Sequence, residues 1–230
     1  MKVENQVGTE TKLLQRYIGR AGQKSSFSFE IELETLLSQL YICVERKTYR
    51  EMITVNNKEE LKALINQRMK EQGPRCDLND IDVSKITDMS YLFDDTNFKG
   101  DISKWDVSNV KDMRHMFAYS NFNGDISKWD VSSVENMSHM FDSSPFTGDI
   151  SKWDVSNVRY MNGMFNNSMF NSDISKWDVS NVRDMRYMFE YSKFKGDLNK
   201  WNVSSVESMI YMFTKSPLYG HEPKWWGFKD

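Results

Sequence analysis

The chain has 230 residues, a formal net charge of −3, and 39% hydrophobic and 27% charged residues, a length that fits one extended domain or two small ones. Residues 1–76 carry 13 basic and 10 acidic side chains and residues 77–230 carry 17 and 23, so neither part has the basic excess of a nucleic-acid binder. The longest apolar run, Leu40 to Val44, falls far short of the ~20 residues that cross a bilayer, and residues 1–26 hold no apolar h-region, so the expectation is a chain with no transmembrane segment and no standard export signal, cytoplasmic as written.

In chain order, residues 1–26 are polar and without a sustained period, which predicts a flexible lead. A mostly helical capping region is expected over 27–76: a helix from Ser28 to Val44, a strand at Met52 to Val55, and a helix from Asn57 to Gln72. The last of these has Asn57 and Glu60 at capping-box spacing, an apolar stripe of Leu61, Leu64, Ile65 and Met69, and Gly73-Pro74 as its stop. Cys43 and Cys76 are the only cysteines. Two thiols make neither a disulfide framework nor a clustered zinc site, and both are read as free.

From Asp77 the chain repeats. Trp105, Trp129, Trp153, Trp177, Trp201 and Trp225 are each 24 residues apart, as are the columns beginning at Asp77, Val83, Met89, Phe93 and Phe98, and such a period signals a stacked array. Six coils are expected over 77–220, with an aromatic cap over 221–230 containing Pro223, Trp225, Trp226 and Phe228. Within a coil, Trp105 and Val107 flank Asp106 as a short strand would. Val110, Met113, Met116 and Phe117 then follow at the spacing of a short helix or 3₁₀ segment, with Ser108 as its N-cap. Phe122 turns inward, and Gly124 is expected to take positive φ before the next strand. The apolar columns become ladders of like on like, so the Trp and Met stripes are read as core. The stripe Leu61 to Met69 is expected to cover the open end of the first coil.

The run Gly-Asp-Ile-Ser-Lys-Trp-Asp-Val-Ser-Asn-Val followed by Met-x-x-Met-Phe resembles the repeat of BspA-type leucine-rich repeat proteins and related mycoplasma surface lipoproteins. Asn57-Lys-Glu-Glu-Leu-Lys-Ala-Leu-Ile and Asp77-Leu-Asn-Asp-Ile-Asp-Val-Ser resemble that family's lead-in. The resemblance implies an α/β repeat solenoid, a leucine-rich-repeat-like right-handed stack of 24-residue coils with a parallel sheet on one face. It also implies display at a bacterial surface and adhesion to host or bacterial partners, although residues 1–26 lack the family's secretion signal and lipobox cysteine.

Function is read from the outward columns. Lys104, Lys128, Lys152 and Lys176 alternate with Asp106, Asp130, Asp154 and Asp178 beside the buried Trp column. This pattern serves either as a self-neutralising ladder or as a recognition face for a protein partner, and these eight residues are the candidate binding site. The competing face is the varied one, where Tyr119 and Tyr191 lie. Metal binding by the Asp101 or Asp106 columns, or by His115 and His139 one coil apart, is the lesser reading. No phosphate loop, His-Glu-x-x-His or nucleophile elbow is present. The expectation is a monomeric, non-enzymatic protein-binding module that needs no cofactor or metal and does not bind nucleic acid, with an intracellular scaffold or effector as the alternative to an adhesin.

Overall fold

The computed structural model describes residues 52–227. The expected lead, the helix at Ser28 to Val44 and Cys43 lie outside the described residues. Strand β1 (Ile53–Thr54) pairs in parallel with β2 (Ile81–Asp82), and between them runs helix α1 (Lys58–Gln72). Asn57 caps α1, its side chain accepting from Glu60 N at 2.9 Å. Glu60 reaches back to accept from Asn56 N at 2.8 Å, and Gly73 ends the helix at φ 81°, as the spacing predicts.

Leu61 and Ile65 of α1 are fully buried in one apolar cluster with Leu78, Ile81 and Val83 of the first coil. Two ion pairs fix the seat of the helix: Lys58 to Asp88 at 3.2 Å and Arg68 to Asp80 at 2.9 Å. The second is the more consequential, because its side chains are only 13% and 4% exposed. Arg68→Ala is therefore expected to cost about 3–5 kcal/mol, the effect of removing one partner from a buried pair, measured by urea unfolding. A loss below 1 kcal/mol would place the pair in effective contact with water.

Beyond α1 the chain advances by coils of 24 residues. Parallel bridges join Asp88, Asp112, Asn136, Tyr160, Asp184 and Ser208 in succession. Met113, His115, Phe117 and Tyr119 donate their N–H groups to the carbonyls of Asn136, Ser138, Met140 and Asp142 one coil on, and the same four bonds recur at every junction between coils, at 2.7–3.0 Å. The ladder thus runs through the Met-x-x-Met-Phe segment, where a helical segment is expected, and not through Trp-Asp-Val, where a strand is expected. The spacing of three in Val110, Met113 and Met116 does reflect tight turns, since Met116 N donates to Met113 O and Ala118 N to His115 O, both at 3.2 Å. Alternate N–H groups close these turns or reach the next coil, so the segment is turn and rung at once. Trp105 and Val107 instead sit in two consecutive turns, Trp105 N to Ile102 O and Val110 N to Val107 O.

Burial follows the columns. Trp105, Trp129, Trp153, Trp177 and Trp201 are each 4% exposed, and the Met and Phe columns are buried with them. Each indole N–H donates to a backbone carbonyl of the preceding coil, as Trp153 Nε1 does to Ile126 O at 3.1 Å, which is what a buried indole requires. Two Phe columns stack along the array, Phe93 on Phe117 at 5.5 Å and Phe98 on Phe122 at 6.0 Å. Gly124 does not take positive φ. Its role is steric, since a Cβ there would lie 2.8 Å from the Phe122 ring. Ser172, at the same place, turns its hydroxyl to the carbonyls of Thr147 and Gly148 at 3.1 Å. At the far end Trp226 meets Phe213 edge-on at 4.9 Å and Pro223 is buried.

Candidate functional site

The lysine and aspartate columns lie on the surface: Lys104, Lys128, Lys152 and Lys176 and Asp106, Asp130, Asp154 and Asp178 are all exposed. Their carboxylates are occupied in local turns. Asp106 Oδ1 accepts from Ser108 N at 3.1 Å and from Ser108 Oγ at 2.6 Å, and Asp130 and Asp154 repeat the pair with Ser132 and Ser156. Ser108 is thus a donor to an Asx turn and not a helix cap, because no helix follows it. The Ser132 and Ser180 hydroxyls, then their N–H groups, hold Asp130 and Asp178 below the usual carboxylate range.

A second Asp column behaves alike: the N–H groups of Ser127, Ser151 and Ser175 lower Asp125, Asp149 and Asp173, with Lys128, Lys152 and Lys176 adding a smaller attraction. A depressed folded value means that these turns stabilise the chain fully above the unfolded carboxylate range near ~4 and lose that contribution as pH falls below it through the lower folded value. No lysine of the four forms an ion pair within 4.0 Å among the described residues.

The Met-x-x-Met-Phe segment carries a different surface. In every coil two residues four apart have positive φ: Tyr91, His115, His139, Gly163, Tyr187 and Tyr211 in one column, and Asp95, Tyr119, Ser143, Asn167, Tyr191 and Lys215 in the other. Eleven of these twelve are not glycine, although that conformation costs an L-residue roughly 1–2 kcal/mol. The side chains so held project rings: Tyr119 is 58% and Tyr211 55% exposed. Tyr91 stacks on His115 and His115 on His139, both at 4.7 Å, and Tyr187 on Tyr211 at 5.4 Å. Lys215 Nζ lies over the Tyr191 ring at 4.7 Å and donates to the hydroxyl of the same residue at 2.8 Å. The positive φ was detectable only by comparing columns, where Gly163, Asn167 and Asp95 are types that tolerate it.

Gly163 interrupts the ring column because a Cβ there would meet the His139 imidazole at 2.3 Å. His139 leans over it, with Nδ1 3.0 Å from Asp142 Oδ2, while Ser143 Oγ donates to Asp142 Oδ1 at 2.9 Å. Burial, then the neighbouring His139, pushes His115 below the usual imidazole range. The two imidazoles lie face to face and do not converge on a point, and among the described residues no group of three His, Cys, Asp or Glu is placed to hold a metal.

The strain at these positions has a measurable consequence. Tyr119→Gly removes an exposed ring and relieves the backbone, so it is expected to raise stability by about 1 kcal/mol, the left-handed cost less the extra chain entropy of glycine. Thermal unfolding of the variant checks this, and a destabilisation would show that the ring contributes packing instead.

A polar depression of about 550 Å³ is lined by Asn157, Arg159, Asn181, Arg183, Ser205 and Glu207. The Asn157 and Asn181 amides donate to the carbonyls of Ser132 and Ser156 at 2.7 Å, so both serve the stack. Among the described residues no helix is long and apolar enough to cross a membrane.

No curated protein and no solved structure matches the chain. One family model does, over residues 61–167 and again over 142–226, which takes in α1 from Leu61 and the whole run of coils. The chain therefore belongs to the family described as Mycoplasma protein of unknown function, DUF285.

Proposed function

We propose that the chain is a non-enzymatic protein-binding module, a leucine-rich-repeat-like α/β solenoid of the BspA type whose regular coils present side chains to a protein partner. The observation that carries this reading is the pair of outward columns at positive φ, where backbone strain holds Tyr91, His115, Tyr119, Tyr187, Tyr191 and Tyr211 in an ordered array. Strain of this kind gathers at functional surfaces, and tyrosine is the residue that supplies large contact area at low entropic cost in binding faces. Adhesion at a mycoplasma surface is the setting we favour, and an intracellular scaffold or effector is the alternative. Neither needs a cofactor.

The Lys/Asp columns are the second candidate face, favoured by the four exposed lysines that form no ion pair among the described residues. The test uses pull-down from host-cell surface proteins followed by affinity measurement on the captured partner. Tyr119→Ser with Tyr191→Ser is expected to weaken binding at least tenfold, while Lys128, Asp130, Lys152 and Asp154 changed to Ser leave it within twofold. The reverse result would move the site to the charged face, where binding should also weaken as salt rises.

A further inference from the structure

Histidine takes the first positive-φ column in the second and third coils, while Tyr91, Tyr187 and Tyr211 hold the equivalent place in three others. His115 lies between two rings, Tyr91 and His139, each 4.7 Å away at interplanar angles of 9° and 12°. Gly163 carries no ring, so this stack stops at His139. The two imidazoles differ in their surroundings. His139 Nδ1 lies 3.0 Å from Oδ2 of Asp142, a buried carboxylate whose other oxygen accepts from Ser143 Oγ at 2.9 Å. One coil back, Ala118 stands at the place of Asp142. An imidazolium at His139 therefore has a carboxylate against Nδ1, and one at His115 meets a methyl group at the matching place. The charged groups that act on His115 are His139 and Asp142 of the third coil, Asp94 of the first and Arg114 of its own. Arg114 is paired with Asp112 at 3.2 Å, and Asp94 in turn feels Asp95 and Lys62 of α1.

We propose that His115 and His139 form an acid-sensitive element of the ring face: the stack stands while His115 is neutral and opens when both imidazoles are charged. Neutral rings pack face to face, whereas two imidazolium rings at this separation repel. Burial and the neighbouring His139 favour the neutral form of His115. Its packing thus contributes stability that is present in full above the unfolded imidazole range near ~6.5 and is lost as pH falls below it through the lower folded value. The backbone carries the change outward. Tyr91, His115 and His139 all stand at positive φ, a conformation with an intrinsic cost that the ring contacts offset. When the rings part, these residues are free to relax, and the rungs they make loosen: Tyr91 N to Arg114 O at 3.0 Å and His115 N to Ser138 O at 2.9 Å. For its consequence the proposal rests on the protein-binding reading: a partner seated on this face at neutral pH is released in acid.

The test is amide hydrogen exchange on the full chain between about pH 7.5 and pH 5, a window that spans the imidazole range and stays above that of the carboxylates. After correction for the intrinsic pH dependence of exchange, protection at Tyr91 and His115 is expected to fall at least tenfold. Tyr187, bonded to Ile210 O at 3.0 Å in a stack without histidine, should keep its protection. His115→Tyr places in the second coil the residue that three other coils use there, and it should abolish the fall. Histidine ring signals followed by NMR add a second readout: His139→Gln is expected to raise the proton affinity of His115 at least threefold. Constant protection at Tyr91 and His115, a fall that persists in His115→Tyr, or an unchanged His115 titration in His139→Gln would each overturn the acid-sensitive stack. None of these readouts needs a partner, so their failure is distinct from a failure of the protein-binding reading. With the captured partner, affinity should drop at least fivefold over the same window for the unaltered chain and not for His115→Tyr. Opening of the stack with unchanged affinity would overturn the coupling to binding.

Discussion

Trp153→Ala is expected to lower the unfolding free energy by about 3–5 kcal/mol, the range for deleting a large buried aromatic side chain. Trp153 is 4% exposed, packs near Phe141 at 6.5 Å and donates to Ile126 O at 3.1 Å. Trp153→Phe separates the two contributions. It retains most of the apolar volume but strands the Ile126 carbonyl, for which the cost is about 1–3 kcal/mol. Trp225 makes the same bond, to Leu198 O at 2.6 Å, but is only partly buried at the end of the array, so its replacement by Ala should cost less than that of Trp153. Equal losses at the two positions, in urea unfolding followed by far-UV circular dichroism, would contradict a stack in which inner coils are covered on both sides.

The Trp column shows why some of the architecture can be read in the sequence and some cannot. Burial repeats with the coil, so the core columns beginning at Val83, Met89 and Phe93 are visible as identity at 24-residue spacing, and those beginning at Ile86, Leu92 and Phe98 as apolar residues at the same spacing. Hydrogen bonding leaves no such trace. In a stacked array any segment can supply the rungs at the same separation, and the two-residue alternation of Trp105 and Val107 arises from a turn fixed by Asp106, while the rungs fall on Met113 to Tyr119.

Left-handed residues are normally betrayed by glycine, and here eleven of the twelve positions are Tyr, His, Asp, Ser, Asn or Lys, with Gly163 the twelfth. The tyrosine surface is therefore legible as variation between columns but not as strain. The charged columns are legible as residues, yet their carboxylates turn out to hold Ser108 and its equivalents in Asx turns, a local use that spacing alone does not distinguish from an exposed ladder.

The end of the array nearest α1 yields the second large effect. Leu61 and Ile65 are 0% and 1% exposed and share the core cluster with Leu78 and Ile81, so each is expected to cost about 2–5 kcal/mol on replacement by Ala. Their loss differs in kind from that of Trp153, because among the described residues α1 packs on the array by one face only, with Glu59, Asn66 and Lys70 exposed. Once its stripe is weakened, α1 can leave the stack as a unit. A chain starting at Asp77 would then present Leu78, Ile81 and Val83 to water, an exposed apolar end of the type that drives association. It is expected to elute as oligomers in size-exclusion chromatography with light scattering, while Leu61→Ala with Ile65→Ala in the full chain should show the same tendency only near its unfolding midpoint. A monomeric, equally stable truncated chain would show that the first coil needs no cover, and that Arg68 and Lys58 anchor a helix whose apolar stripe is dispensable.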